Sequence, residues 1–289
     1  MTDTQFIHEA RVRRFYDESD GEGAGRAYSD LMGPVWHHGA RDAEQAGKSV
    51  LEAAEILERR LMDLAGLGAG MRALDFGSGP GGATTNMARM TGAHFVGVSN
   101  TETLSQRARQ LAADRGLDDQ VSFLTIGDRD YRTLAAWPDA SFDAVTFFES
   151  VCHLPDKPAF FSAAFRLLKP GGRLVGLDWL QRPFGPYQTD EQIQAIIGPV
   201  CEHIRLAELG TLQSYTAMMR AAGFEVTDAV DEFDGEPCWG STPPEDRERW
   251  LTYSGPSGEL FQDGKRALDA ARAAGVFTVG WFAATRPGR

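Results

Sequence analysis

Ala73-Leu74-Asp75-Phe76-Gly77-Ser78-Gly79-Pro80-Gly81-Gly82 is the stretch whose reading decides the fold. Residues 71–76 are mainly apolar and read as a buried strand. Four glycines crowd the next six positions, which forces a tight turn, and residues 82–90 then read as a helix. Gly77, Gly79 and Gly82 satisfy GxGxxG, a spacing in which missing side chains let a nucleotide approach the backbone. Outward from this turn, strands are predicted at 94–98, 121–126, 143–148, 173–178, 225–230 and 276–284. Helices are predicted between them at 104–115, 158–168 and 212–222. Such alternation builds βαβ units and a mainly parallel sheet, so the class is α/β and Rossmann-like. Two stretches, about 180–210 and 233–264, do not fit the alternation and read as cap insertions over one end of the sheet. In open α/β sheets ligands bind beyond the carboxyl ends of the strands, so a cap there closes a pocket.

Ahead of the sheet, residues 5–16 read as a helix, followed by a glycine link (Gly21, Gly23, Gly25) and the segment Trp36-His37-His38-Gly39. Residues 42–64 read as one helix with Val50, Leu51, Ala54, Leu57 and Leu61 on a single face. Residues 1–42 are therefore a lid or arm and 43–289 the main domain. The glycine link would let that arm exchange between protomers of a homo-oligomer.

The 289 residues carry a formal net charge of −12, which argues against a general nucleic-acid binder. Cys152, Cys201 and Cys238 lie far apart, so neither a disulfide framework nor a zinc site is expected; no metal is expected, and a reducing cytoplasm is the natural setting. The polar N-terminus lacks the apolar stretch of a secretory signal, and no run reaches the ~18 apolar residues of a membrane span.

The ligand of the glycine turn follows from its neighbours. Asp75 ends the first strand; a carboxylate there is unhelpful beside a pyrophosphate but suits a cationic ligand. The second strand ends in Gly97-Val98-Ser99-Asn100, without the acid that a dinucleotide site uses on its ribose, although Asn100 can bond a hydroxyl. S-adenosylmethionine fits better than NAD.

At these residues the chain resembles the class I S-adenosylmethionine-dependent methyltransferases. Asp75–Gly82 resembles their first motif and Val96–Asn100 the strand end that reaches the ribose. Thr125-Ile126-Gly127-Asp128 resembles the strand end whose Asp bonds the adenine amino group. Ser141–Val145 with Leu167–Leu174 resembles the fourth strand and the turn into the fifth. The resemblance spans roughly residues 45–230 plus the last strand, and implies seven strands with an antiparallel last one. It implies cofactor contacts at Asp75, Gly77, Gly79, Ser99, Asn100, Asp128 and Glu149, with Tyr16 and Tyr28 latching the lid onto the cofactor carboxylate.

The acceptor must be read elsewhere. Phe148-Glu149-Ser150-Val151-Cys152-His153-Leu154-Pro155-Asp156 resembles a stretch of sterol C-methyltransferases and of a sugar O-methyltransferase. Where the latter has a histidine as candidate base, this chain has Cys152. Trp36–Gly39 resembles the lid of tocopherol and sterol methyltransferases, and the aromatic cap loosely resembles prenyl C-methyltransferases. Methylating an alkene makes a carbocation, which a carboxylate or aromatic faces stabilise. Glu149, His153 and His38 are thus the candidate catalytic residues, and Trp36, Trp179, Phe184 and Trp239 the candidate substrate contacts, for C-methylation of an isoprenoid double bond in a small molecule, with cyclisation of the cation as an option. Glu149 has rival readings, as a ligand of the cofactor amino group or a cap for the helix near Pro155–Asp156. Rival functions are O- or N-methylation with His37, His38 or His153 as base, a non-catalytic binding protein, and a nicotinamide oxidoreductase.

Overall fold

A computed structural model of the chain describes residues 3–17, 23–126, 134–185, 188–238, 244–255 and 258–288. Asp128 and Trp239 lie outside the described residues. Seven strands form one sheet: β1 (Arg72–Phe76), β2 (His94–Ser99), β3 (Val121–Thr125), β4 (Phe142–Phe148), β5 (Leu168–Gln181), β6 (Glu225–Asp231) and β7 (Phe277–Thr285). Their order is β3-β2-β1-β4-β5-β7-β6. The first five run parallel, and β7 pairs antiparallel with both β5 and β6, as the resemblance implied. β1 is central and buried on both faces after its first residue, which is why it reads as a continuous apolar run.

The helices before the sheet are α1 (Asp3–Tyr16), α2 (Gly25–Met32), α3 (Arg41–Gln45) and α4 (Val50–Ala65); α5 (Gly82–Thr91) and α6 (Glu102–Asp114) follow β1 and β2. After β4 come α7 (Lys157–Leu167), α8 (Asp190–Ile204), α9 (Leu212–Ala221), α10 (Pro244–Leu251) and α11 (Gly258–Ala273). One core cluster packs Leu57, Leu61, Met87 and Ala108 on one face of the sheet; Phe160, Phe161, Tyr215 and Met219 pack on the other.

Three boundaries differ from expectation, each for a local reason. The helix expected over 42–64 is broken, because Gly47 turns the chain at φ +77 and Ser49 opens α4 with a capping box to Glu52. β5 runs on to Gln181 because its antiparallel register with β7 continues to Phe277. The insertions are largely helical: α8 lies in the first, and α10 with the start of α11 in the second. α8 and α11 pack together into one cap, where a Cβ on Gly264 would lie 2.8 Å from Cδ1 of Ile204.

The N-terminal segment crosses the first turn of α5 through Gly82 N donating to Pro34 O at 3.0 Å, and it joins α4 through Ala40 N donating to Ala53 O at 2.9 Å. Gly39 sits between them, and a Cβ there would lie 2.6 Å from the carbonyl carbon of Ala53. Since that obstacle is backbone, Gly39→Ala should destabilise the protein by about 1–3 kcal/mol. Thermal denaturation reads the effect, and an unchanged Tm would mean that the N-terminal segment does not rest on α4.

Candidate active site

The site is built on the carboxyl ends of β1, β2, β4 and β5. After Phe76 the chain turns with Gly77 at φ +80, Gly79 at +52 and Gly81 at +86, conformations that favour glycine. The amides of Gly77 and Ser78 both donate to Val98 O at 2.9 Å, which ties the turn to β2. A Cβ on Gly77 would collide with the Ser150 side chain, whereas one on Gly79 would point towards Trp36, 3.8 Å away. The open floor beside Gly79, with Ser99 and Asn100 at its edge, is a cradle that a side chain would fill. Asp75 lies beneath it, accepting hydrogen bonds from Thr84 Oγ1 (2.6 Å) and Thr146 Oγ1 (2.9 Å). Burial pushes its carboxyl up to about 6, against the pull of both threonines.

Glu149 is the most constrained residue of the site. It follows the last residue of β4 at φ 51, a left-handed conformation that costs a non-glycine residue energy. Its Oε1 accepts from the His38 backbone N–H at 2.7 Å and lies 2.5 Å from His38 Nδ1. Its Oε2 accepts from the Trp179 indole N–H at 2.5 Å. Burial alone would raise its pKa; the charge and hydrogen bonds of His38, with the charge of His37, hold it below the ordinary carboxylate value. His38 is itself positioned by His37, whose Nδ1 lies 2.7 Å from His38 O and whose Nε2 lies 3.0 Å from Glu58 Oε1. Two acceptor oxygens facing both ring nitrogens favour the imidazolium, so the pKa of His37 is raised despite burial. Glu58, fully buried, also accepts from Asn86 Nδ2 at 2.9 Å, which extends the network into α5.

Above this floor lies a cavity of about 260 Å³ with a predominantly apolar lining. Tyr16 stacks on Trp36 with ring centres 6.1 Å apart, Tyr28 packs 5.7 Å from Trp36, and Phe261 of α11 meets Tyr28 at 5.8 Å. The Tyr16 hydroxyl lies 2.8 Å from His153 Nε2, and His153 Nδ1 lies 2.9 Å from Arg205 O. Burial depresses the pKa of His153 to about 4, so the ring is neutral, with Nδ1 donating to the carbonyl and Nε2 accepting from the phenol.

Of the residues singled out from sequence, Tyr16, Tyr28, Trp36, His38, Asp75, Gly77, Gly79, Ser99, Asn100, Glu149, His153 and Trp179 all line this one cavity. Phe184 does not. It packs against the core instead, two residues beyond Arg182, which pairs with Asp231 at 2.7 Å. Tyr16, read as a latch on the cofactor, holds His153. The helix after Glu149 is capped by Asp156, whose Oδ1 accepts from Ala159 N at 3.1 Å, rather than by Glu149. Cys152 is 1% exposed and stays out of the cavity lining; burial and the nearby Asp178 push its thiol well up. Sequence reasoning missed Glu58, Asn86 and the cavity face of α11 (Phe261, Lys265, Leu268, Arg272). The 261-265-268-272 spacing was a helical signal; the pairing of Glu58 with His37 left none. No helix among the described residues is long and apolar enough to cross a membrane.

A parallel sheet with a glycine turn after β1 and an antiparallel β7 defines a Rossmann-like methyltransferase. A family model described as a methyltransferase domain matches residues 49–229. The chain is 34% identical over 211 residues to 27-O-demethylrifamycin SV methyltransferase of Amycolatopsis mediterranei, covering 71% of this chain and 73% of that protein. It is 36% identical over 134 residues to a sterol 24-C-methyltransferase of Gibberella zeae, but these cover 46% of this chain and 34% of that protein. The crystal structure of geranyl diphosphate C-methyltransferase from Streptomyces coelicolor A3(2) shares the fold, with a TM-score of 0.71 at 19% identity, covering 96% of this chain and 97% of that one. The chain belongs to the S-adenosylmethionine-dependent methyltransferases that act on small molecules.

The raised pKa of Asp75 has a consequence for stability. The fold favours the protonated carboxyl, so this contribution is full below pH ~4 and is lost as the pH rises through ~6, amounting to about 3 kcal/mol. Denaturant unfolding of the cofactor-free protein against Asp75→Asn should show that difference accumulating between pH 4 and 7 and level above it. A flat difference would mean that Asp75 is not buried as described.

Proposed function

We propose that the enzyme methylates a carbon of an isoprenoid double bond in a small-molecule acceptor, with residues 1–42 acting as a lid over the reaction. The observation that carries this reading is the cavity itself: an aromatic, mainly apolar chamber with one buried carboxylate, Glu149, held by three donors at its floor. The sterol C-methylation named for one relative, and the prenyl C-methylation named for a protein of the same fold, agree with it.

The glycine cradle, Ser99, Asn100 and Asp128 would hold S-adenosylmethionine, with Tyr28 on its carboxylate. When bound, it supplies a methyl group on a sulfonium sulfur. The chain's own part is to exclude water, align the acceptor alkene and steady the positive charge that appears on the neighbouring carbon. Glu149 does the last electrostatically, and the ring faces of Tyr16, Tyr28 and Trp36 assist. Trp179 and His38 fix the carboxylate without exhausting its lone pairs. Methylation of oxygen or nitrogen with His37 or His153 acting directly as base has less support, because both ring nitrogens of each are engaged.

Turnover of methyl-labelled S-adenosylmethionine with prenylated aromatics, prenyl diphosphates and sterols should place label on a former alkene carbon, read by carbon NMR. Glu149→Gln should lower kcat about 100- to 1000-fold with little change in cofactor affinity. Label found only on oxygen or nitrogen, or full turnover by the variant, would sink the proposal.

A further inference from the structure

We propose that Tyr16 is the group that removes the proton ending the reaction, relaying its own proton to His153. The inference rests on the C-methylation reading above and names the base that reading requires. Tyr16 comes from α1 and His153 from the short helix after β4, and both line the cavity. Their 2.8 Å contact has one direction, since Nδ1 of His153 is committed to Arg205 O and only Nε2 can accept. The phenol therefore donates its proton to His153 and keeps lone pairs on its oxygen as acceptors. A second contact ties α1 to the backbone of that short helix: the His8 ring lies 2.9 Å from the His153 carbonyl oxygen. The Tyr16 ring is seated by its stacking on Trp36 and an edge contact with Phe15 at 4.9 Å.

The step balances as follows. Methyl transfer forms a carbon–carbon bond and leaves a carbocation on the adjacent carbon. A C–H bond next to that cation breaks, and its electron pair becomes the new double bond. The released proton goes to the Tyr16 oxygen as the original phenol proton moves to His153 Nε2. Tyrosine ends as a phenol and His153 as an imidazolium. A carbocation is acidic enough for a weak base to suffice; burial beside His8 and Lys157 makes the imidazolium surrender its proton readily, and that proton returns through the Tyr16 oxygen to water admitted as the product leaves, resetting the pair. His153 does not touch the cation in this scheme; it acts through Tyr16.

The test is product partition with a prenylated acceptor, in wild type, Tyr16→Phe and His153→Gln. Glutamine can still accept from the phenol and donate to Arg205 O but takes up no proton, so it would rescue a merely structural role. The wild type should form one deprotonated alkene almost alone. In both variants the share of that alkene should fall about tenfold or more, replaced by isomeric alkenes and water-captured alcohol. An unchanged partition in either variant overturns the relay. A wild type that forms no carbon–carbon bond with any prenyl acceptor overturns the C-methylation reading, and with it the relay, before any variant is made.

Discussion

Everything about this site depends on the grip on the Glu149 carboxylate. The N-terminal segment reaches it through two donors of His38, and the sheet through the Trp179 indole of β5. Glu149 itself is presented from the end of β4 by a backbone turned against its preference. Charge-assisted hydrogen bonds to a buried carboxylate are among the stronger ones, and removing the carboxylate would leave buried donors without an acceptor. The N-terminal segment is thus anchored by the same charge that the proposed chemistry would use, and the strain at Glu149 is maintained by partners from two other parts of the chain.

The network behind that grip is equally polar and equally buried. His37 and Glu58 form an ion pair beneath the N-terminal segment, and Asn86 joins it to the helix that follows the glycine turn. A buried pair of this kind adds little net stability relative to apolar packing, because desolvation offsets the attraction. Its value lies in orientation. With His37 Nδ1 on the His38 carbonyl, the next peptide N–H and the next imidazole both point at one carboxylate oxygen.

How much of this could be read from sequence depended on whether partners lay close along the chain. The glycine turn and the strand–helix alternation were legible because each is set by local pattern or by a motif with fixed spacing, whereas the antiparallel last strand followed only from the family resemblance. Glu149, His38 and Trp179 were recognisable as candidates, but the bonds joining them span 111 and 30 residues and follow no period. Glu58 looked like one more charged residue on α4, since its burial depends on a histidine 21 positions earlier. The break between α3 and α4 was visible in Gly47 and the Ser49–Glu52 box, yet the apolar spacing around it concealed them. Phe184 illustrates the converse: its aromaticity suited a pocket, but it packs against the core outside the cavity lining, a placement that no local pattern announced.

Tyr16 belongs to the arm, whereas His153 belongs to the body of the enzyme. Any movement of the arm away from the body would separate them. Under the proposed relay the proton acceptor would then exist only where α1 lies against the body, so the reaction would finish only with bulk solvent expelled. Timing and chemistry would be joined in one hydrogen bond, and an arm that swung too freely would compromise product fidelity before it compromised rate.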